Sequence, residues 1–312
     1  MTRTLAGAPA PLTTPDELRV ENAAAPTACI GNTAVPDARR QPGSIPERVA
    51  LGLVYLVSVA SLAGFATFSL HPELLVRAQV SAATYGRMMV LAPRAQIALA
   101  FAALALFLAR RVGTRWLATF AVVYVLSLGA ELAGTTVGLP FGPYSYTDGL
   151  GWKWLGHVPA LIPLSWYMMA LPSYAIAAWR YPSQAAVVQR VALGSFVLLS
   201  WDLALDPAMS LATKYWIWAT DGPYYGMPLL NLIGWFLTGA ALMVVFAALR
   251  ADSWIEKLSG PWLVGFYGAN LVLPVGMCIA AGMWGAVAAT AAALGVAWLI
   301  ARAGTSAKKV HA

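Results

Sequence analysis

The chain alternates long apolar runs with short polar breaks, at a spacing that suits membrane spans better than a soluble core. Val49 to Leu70 is uncharged over 22 residues. At about 1.5 Å per residue, such a run crosses a hydrocarbon core of about 30 Å as a helix. Further spans are expected at about 89–109, with Arg94 near its start, and about 116–137, with Glu131 near its end. Val158 to Trp179 is uncharged, about 187–205 contains Arg190 and Asp202, and Pro228 to Leu249 is uncharged again. The last run, Leu258 to Ala301, has 44 residues. As one helix it would measure about 66 Å, twice what a bilayer accepts, so it is expected to fold back near Gly282. The pattern predicts an all-α fold: a polytopic membrane helix bundle of about eight transmembrane helices over residues 48–303. Residues 1–47, rich in Ala, Pro, Thr and Arg, read as a disordered cytoplasmic tail, and 304–312 as a short cytoplasmic tail.

Composition sharpens this reading. Hydrophobic residues make up 60% and charged ones 11%, against about 45–50% and about 25% in soluble domains. A soluble globular domain is excluded. The net charge of +7 does not argue for nucleic acid, because the basic residues sit between apolar runs, as in cytoplasmic loops. Fifteen of the 20 lysines and arginines fall on one side of the predicted spans and five on the other. That bias predicts a multi-pass protein of the cell membrane with both termini cytoplasmic. The two longest loops, about 138–157 and 206–227, are then on the outer side.

Those loops carry Phe141, Tyr144, Tyr146, Trp152, Trp154, Tyr215, Trp216, Trp218, Tyr224 and Tyr225. They suit either an interfacial aromatic belt or a greasy vestibule. A weak internal echo links them: Gly142-Pro143-Tyr144 and Gly222-Pro223-Tyr224 each follow an acidic helix end.

A charge in the bilayer costs about 2.5–3.5 kcal/mol or more, so ionisable residues inside a span are site candidates. Glu131 and Asp202 lie near the outer ends of their helices, and Arg94, His157 and Asn231 fall at a similar depth. Each has a plainer role open to it. Arg94 suits snorkelling to the headgroups as well as a counter-ion role. His157 suits an interfacial or capping position. Asp206, before Pro207, suits the cap of a short interfacial helix carrying Tyr215, Trp216 and Trp218. If Asp202 and Asp206 share a helix, their spacing of four sets both carboxyls on one face, and one is expected to stay a neutral acid.

Common catalytic signatures are missing: the sequence has no Gly-rich nucleotide loop, no paired-histidine metal motif and no aspartate-rich diphosphate motif. Its two cysteines, Cys29 and Cys278, suit neither a disulfide framework nor zinc. With three histidines, a histidine-cluster iron oxygenase is excluded. No metal and no cofactor is expected.

Glu131 with Gly138-Leu139-Pro140-Phe141-Gly142-Pro143-Tyr144-Ser145-Tyr146, then Pro159, Pro163 and Trp166, resembles the first signature of the CruF-type carotenoid 1,2-hydratases. Asp202-Leu203-Ala204-Leu205-Asp206-Pro207, with Tyr215-Trp216-Ile217-Trp218, Tyr225-Gly226-Met227-Pro228 and Asn231-Leu232-Ile233-Gly234-Trp235, resembles the second. The likeness spans Glu131 to Trp235. It implies an integral membrane enzyme that adds water across the terminal double bond of an acyclic carotenoid end group, giving a tertiary alcohol. Lycopene or a monocyclic carotene within the bilayer would be the substrate class, and other carotenoid biosynthesis enzymes possible partners.

The roles assigned to residues rest on the chemistry itself. Hydrating an unactivated alkene needs a strong acid, stabilisation of a tertiary cation, and water. Asp202 is the expected proton donor, with Asp206 as its partner or as the base that orients water. Glu131 and Asn231 are expected to position water. Trp201, Tyr144, Tyr225 and Trp235 offer aromatic faces to the cation. Tyr146, Arg94 and His157 complete the expected substrate-binding set. Two other classes fit less economically: a proton-coupled transporter, and a carotenoid-binding scaffold without chemistry.

Overall fold

The computed structural model describes residues 38–307. Ten helices dominate: α1 (Ile45–Gly64), α2 (Glu73–Arg77), α3 (Ala82–Val112), α4 (Leu117–Val137), α5 (Ile162–Arg180), α6 (Val187–Asp206), α7 (Leu229–Ala248), α8 (Asp252–Ile255), α9 (Gly260–Ala280) and α10 (Trp284–Ala307). The chain is a polytopic helical membrane bundle. Among the described residues, seven helical segments are long and apolar enough to cross a membrane. They correspond to α1, α3, α4, α6, α7, α9 and α10.

The eighth expected span is present as α5, a 19-residue helix, but it does not match the other seven in hydropathy. The reason lies in its position. α5 packs against α3, α4, α6, α7, α9 and α10, and most of its side chains are buried within the protein. A helix shielded from lipid can carry Ser165, Trp166, Tyr167, Ser173 and Tyr174 where a lipid-facing one would hold aliphatics. The reversal near Gly282 occurs as expected: α9 ends at Ala280, Gly282 adopts φ +73°, and α10 starts at Trp284.

The boundary at residue 47 moves. Ser44 precedes α1, and its N–H donates to the Glu47 carboxylate at 2.6 Å, satisfying a donor at the helix start. Gln41 accepts from Ser259 Oγ at 2.5 Å. Residues 41–47 are therefore built into the bundle. The rest of the predicted N-terminal tail up to residue 37, and residues 308–312, lie outside the described residues.

The two long loops are unlike helical connectors. Strand β1 (Tyr144–Tyr146) in the first pairs antiparallel with β4 (Trp216–Trp218) in the second, setting Tyr144 opposite Trp218 and Tyr146 opposite Trp216. A second small ladder joins β2 (Lys153–Trp154) to β3 (Val158–Pro159). The loops thus form one lid over the end of the bundle where α4 and α6 finish. The short interfacial helix expected after Asp206 does not form. α6 instead widens at Pro207–Ala212 into a π-type turn, and Trp216 and Trp218 sit on a strand. Pro207 has no N–H for the Leu203 carbonyl one turn back, and the Tyr224 hydroxyl donates to that carbonyl at 2.8 Å. The Tyr144 hydroxyl meets Glu131 instead, so the two Gly-Pro-Tyr tyrosines have different partners.

Candidate active site

Three buried acids meet beneath the lid. Asp202 and Asp206 share α6, one turn apart, as their spacing requires. Glu131 comes from α4, near its end at Gly138, whose φ of +76° closes the helix in the left-handed conformation. Gly134, one turn after Glu131, keeps the approach to that carboxyl open: a side chain there would run into the rings of Phe141 and Tyr144 at 2.9 Å.

The hydrogen bonds can be followed oxygen by oxygen. Glu131 Oε2 accepts from the Tyr144 hydroxyl and, at 2.8 Å, from the Tyr146 hydroxyl, while Oε1 accepts from Trp166 Nε1 at 2.8 Å. Asp206 Oδ1 accepts from Trp216 Nε1 at 3.2 Å and Trp218 Nε1 at 3.0 Å. Asn231, in the first turn of α7, donates through Nδ2 to both Asp206 Oδ2 and Asp202 Oδ2, each at 3.0 Å. Asp202 Oδ1 is buried with no hydrogen-bond partner. Every donor in this set is neutral, and among the described residues no ion pair involves any of the three acids. Burial beside the Glu131 carboxylate holds the Tyr144 and Tyr146 phenols well above the usual tyrosine range, so both remain donors.

Around these acids lies a cavity of about 100 Å³. All three acids and Asn231 line it. Trp201, Trp166 and Trp235 form one wall, with Trp166 and Trp235 stacked at 4.1 Å and Trp201 edge-on to Trp235 at 5.9 Å. Tyr144, Tyr146, Trp216 and Trp218 line the cavity from the lid, and Pro93, Gln96 and Ile97 of α3 and Leu273 and Pro274 of α9 complete the lining. The shape suits a narrow apolar chain end delivered to a carboxyl.

Eight of the eleven expected site residues converge here: Glu131, Asp202, Asp206, Asn231, Trp201, Tyr144, Tyr146 and Trp235. Three do not. Arg94 donates to the main-chain carbonyls of Gly149 and Asp148, both at 2.9 Å, and so ties α3 to the first loop without reaching a carboxylate. His157 is exposed in a turn closed by its own N–H on the Trp154 carbonyl, outside the cavity. Tyr225, at φ +54°, packs on Tyr224 and brings its hydroxyl close to Gly285 at the start of α10. Asp206 forms no helix cap, which removes that alternative for it.

The sequence reading passed over Trp216, Trp218, Trp166 and Gln96 as site residues. For the first two a signal existed: Tyr144-Ser145-Tyr146 and Trp216-Ile217-Trp218 both alternate with period two, which places each aromatic pair on one face of a strand.

The fold and this geometry define a multi-pass membrane protein with a buried carboxyl centre under an aromatic lid. The profile of the carotenoid biosynthesis protein family matches residues 94–297, and the chain belongs to that family. The matched region contains all eleven expected site residues. Over 122 residues, 38% of this chain, it is 33% identical to the bisanhydrobacterioruberin hydratase of Haloarcula japonica. The chain covers 41% of that relative's length. No solved structure matches the chain.

Proposed function

We propose that the protein is a carotenoid hydratase, a hydro-lyase acting in the direction of water addition on the terminal double bond of an acyclic carotenoid end group. Lycopene or a monocyclic carotene is the proposed substrate, reached within the bilayer of the cell membrane, with both termini cytoplasmic and the lid outside. The observation that carries the reading is Asp202: of the six carboxyl oxygens in the centre, its Oδ1 alone has no hydrogen-bond partner.

An ionised carboxylate with a bare oxygen in an apolar cavity would be costly, which favours Asp202 as the neutral acid. Its O–H bond breaks as a C–H bond forms at the less substituted alkene carbon, leaving a tertiary cation. The faces of Trp166, Trp201 and Trp235 stabilise that cation by about 0.5–2 kcal/mol each. Water adds to the cation, and the proton it sheds returns to the Asp202–Asp206 pair, so the pair ends the cycle as it began. Asn231 holds the two carboxyls together. Glu131, with both oxygens occupied, fixes the lid tyrosines in place. The chemistry asks for no cofactor, and the name of the Haloarcula relative, a hydratase, is in keeping with it.

Expression in a lycopene-producing host tests this. The new pigment should exceed its precursor by the mass of one water, form without oxygen or added reductant, and take its oxygen from labelled water. In heavy water, deuterium should enter the carbon beside the tertiary alcohol. Oxygen derived from molecular oxygen would overturn the reading.

A further inference from the structure

A second buried polar atom has no partner, and it belongs to a cavity-lining residue with no role so far. Gln96, in the middle of α3, lines the cavity and is buried. Its Oε1 makes no hydrogen bond. An amide oxygen in such a place carries a desolvation cost that a protein seldom retains without use.

The neighbours decide which end of the amide is left without a partner. The Ala269 carbonyl of α9 is an acceptor only, so the Ser58 hydroxyl, at 3.2 Å, must donate to it. Ser58 Oγ has then spent its one proton and can only accept. Gln96 meets it at 3.1 Å and must present Nε2 there. Oε1 is thus fixed as an acceptor by a chain running from α9 through α1 to α3. Water that attacks a cation needs acceptors for its hydrogens while a lone pair points at carbon. Two residues that line this cavity carry an unpartnered acceptor atom: Asp202, whose Oδ1 becomes one once its proton has gone, and Gln96 with Oε1.

We infer that Gln96 holds the attacking water, with Ser58 as the positioning residue that aims it; this rests on the hydratase reading above. Water positioning then falls to Gln96, since Glu131 Oε1 and Oε2 are committed to Trp166, Tyr144 and Tyr146.

A tertiary cation has two fates. It binds water, forming the C–O bond, or it returns a proton from an adjacent carbon to the Asp202 carboxylate, giving back an alkene. In heavy water the acid delivers deuterium before either step, so the second fate leaves deuterated or isomerised alkene without added oxygen. The test is the ratio of alcohol to deuterated alkene, read by mass spectrometry in membranes carrying wild type, Gln96→Leu or Ser58→Ala. Gln96→Leu should keep protonating and lower the ratio about tenfold, the scale of one lost hydrogen bond to a reacting group. Ser58→Ala, which frees the amide to turn, should lower it in the same direction by less.

An unchanged ratio in both variants overturns the assignment, as does a parallel fall of alcohol and deuterated alkene, which would mark a purely structural role. If Gln96→Leu fails to accumulate, the smaller Ser58→Ala change decides alone. Wild type that makes no alcohol would sink the hydratase reading itself, whereas normal wild-type product with an unchanged ratio sinks only this one.

Discussion

The two ends of the bundle treat buried acids in opposite ways. At the end away from the lid, Glu47 is held by Arg111 through two bonds of 3.0 and 2.8 Å, with Arg110 nearby at 3.9 Å. At that same end the fully buried Arg190 pairs with Asp252 and also donates to the Tyr174 hydroxyl and the carbonyls of Tyr181 and Ser183. Under the lid, by contrast, Glu131, Asp202 and Asp206 meet indoles, phenols, an amide and a hydroxyl, all of them neutral. An arginine neutralises a carboxylate and locks it in the charged form. Neutral donors hold a carboxyl in place while leaving it able to carry a proton. The first arrangement builds structure, and the second is open to acid chemistry.

Removing the proton is the most forceful way to break that contrast. Asp202→Asn is nearly isosteric and leaves the Asn231 contact an oxygen to meet. Product formation should fall by about 10²–10⁴-fold, the usual contribution of a general acid, with unchanged amounts of protein in the membrane. Pigment analysis beside an immunoblot decides it, and substantial turnover would remove Asp202 from the mechanism.

At the other end the same kind of change should act on stability instead. Arg190→Met strips the cation from Asp252 and the donor from Tyr174 and two carbonyls. It should cost about 1–3 kcal/mol, because Arg190 is buried while Asp252 keeps partial contact with solvent, seen as a lower melting temperature in detergent. Product per folded molecule should hold. A variant that is fully stable but inactive would mean the two ends are coupled in function, against the division drawn above.

How much of this was legible in the residues follows from what each signal measures. Run length and the absence of charge gave the helices and the turn at Gly282, because a bilayer penalises every exception. They also found α5, which is less apolar than the other seven because its neighbours replace lipid and permit Tyr167, Ser173 and Tyr174. The spacing of Asp202 and Asp206 was readable because one helix holds both. Which loop residues reach them was not, since that depends on the pairing of β1 with β4 across about 70 residues of chain. Arg94 and His157 matched the site in depth along their segments, and Tyr225 in being an aromatic of the second loop, but neither signal gives direction. Arg94 turns to two loop carbonyls, His157 out of the fold, and Tyr225 toward α10. Gln96 escaped notice because an uncharged amide in a span raises little alarm, and its importance depends on Ser58 and Ala269 standing beside it.

The smallest effect concerns the lid's indoles and tests whether neutral donors govern the acid centre at all. Trp218→Phe leaves an aromatic ring, though a smaller one, where the indole packs on Tyr144 at 5.1 Å, and deletes the N–H that reaches Asp206 at 3.0 Å. Asp206 Oδ1 retains Trp216 Nε1 at 3.2 Å, so the loss is one of two donors. Turnover should fall about tenfold, the equivalent of about 1.4 kcal/mol. Trp154 supplies the control from the same loops: its Nε1 donates to the Tyr124 hydroxyl at 2.9 Å, at an exposed position outside the cavity. Trp154→Phe loses a hydrogen bond of similar length without touching an acid, and should keep turnover within about twofold. Equal losses in the two variants would show that the lid acts through its overall packing. A loss confined to Trp218→Phe would tie catalysis to a single N–H on Asp206, which is what separates this end of the bundle from the arginine-paired end.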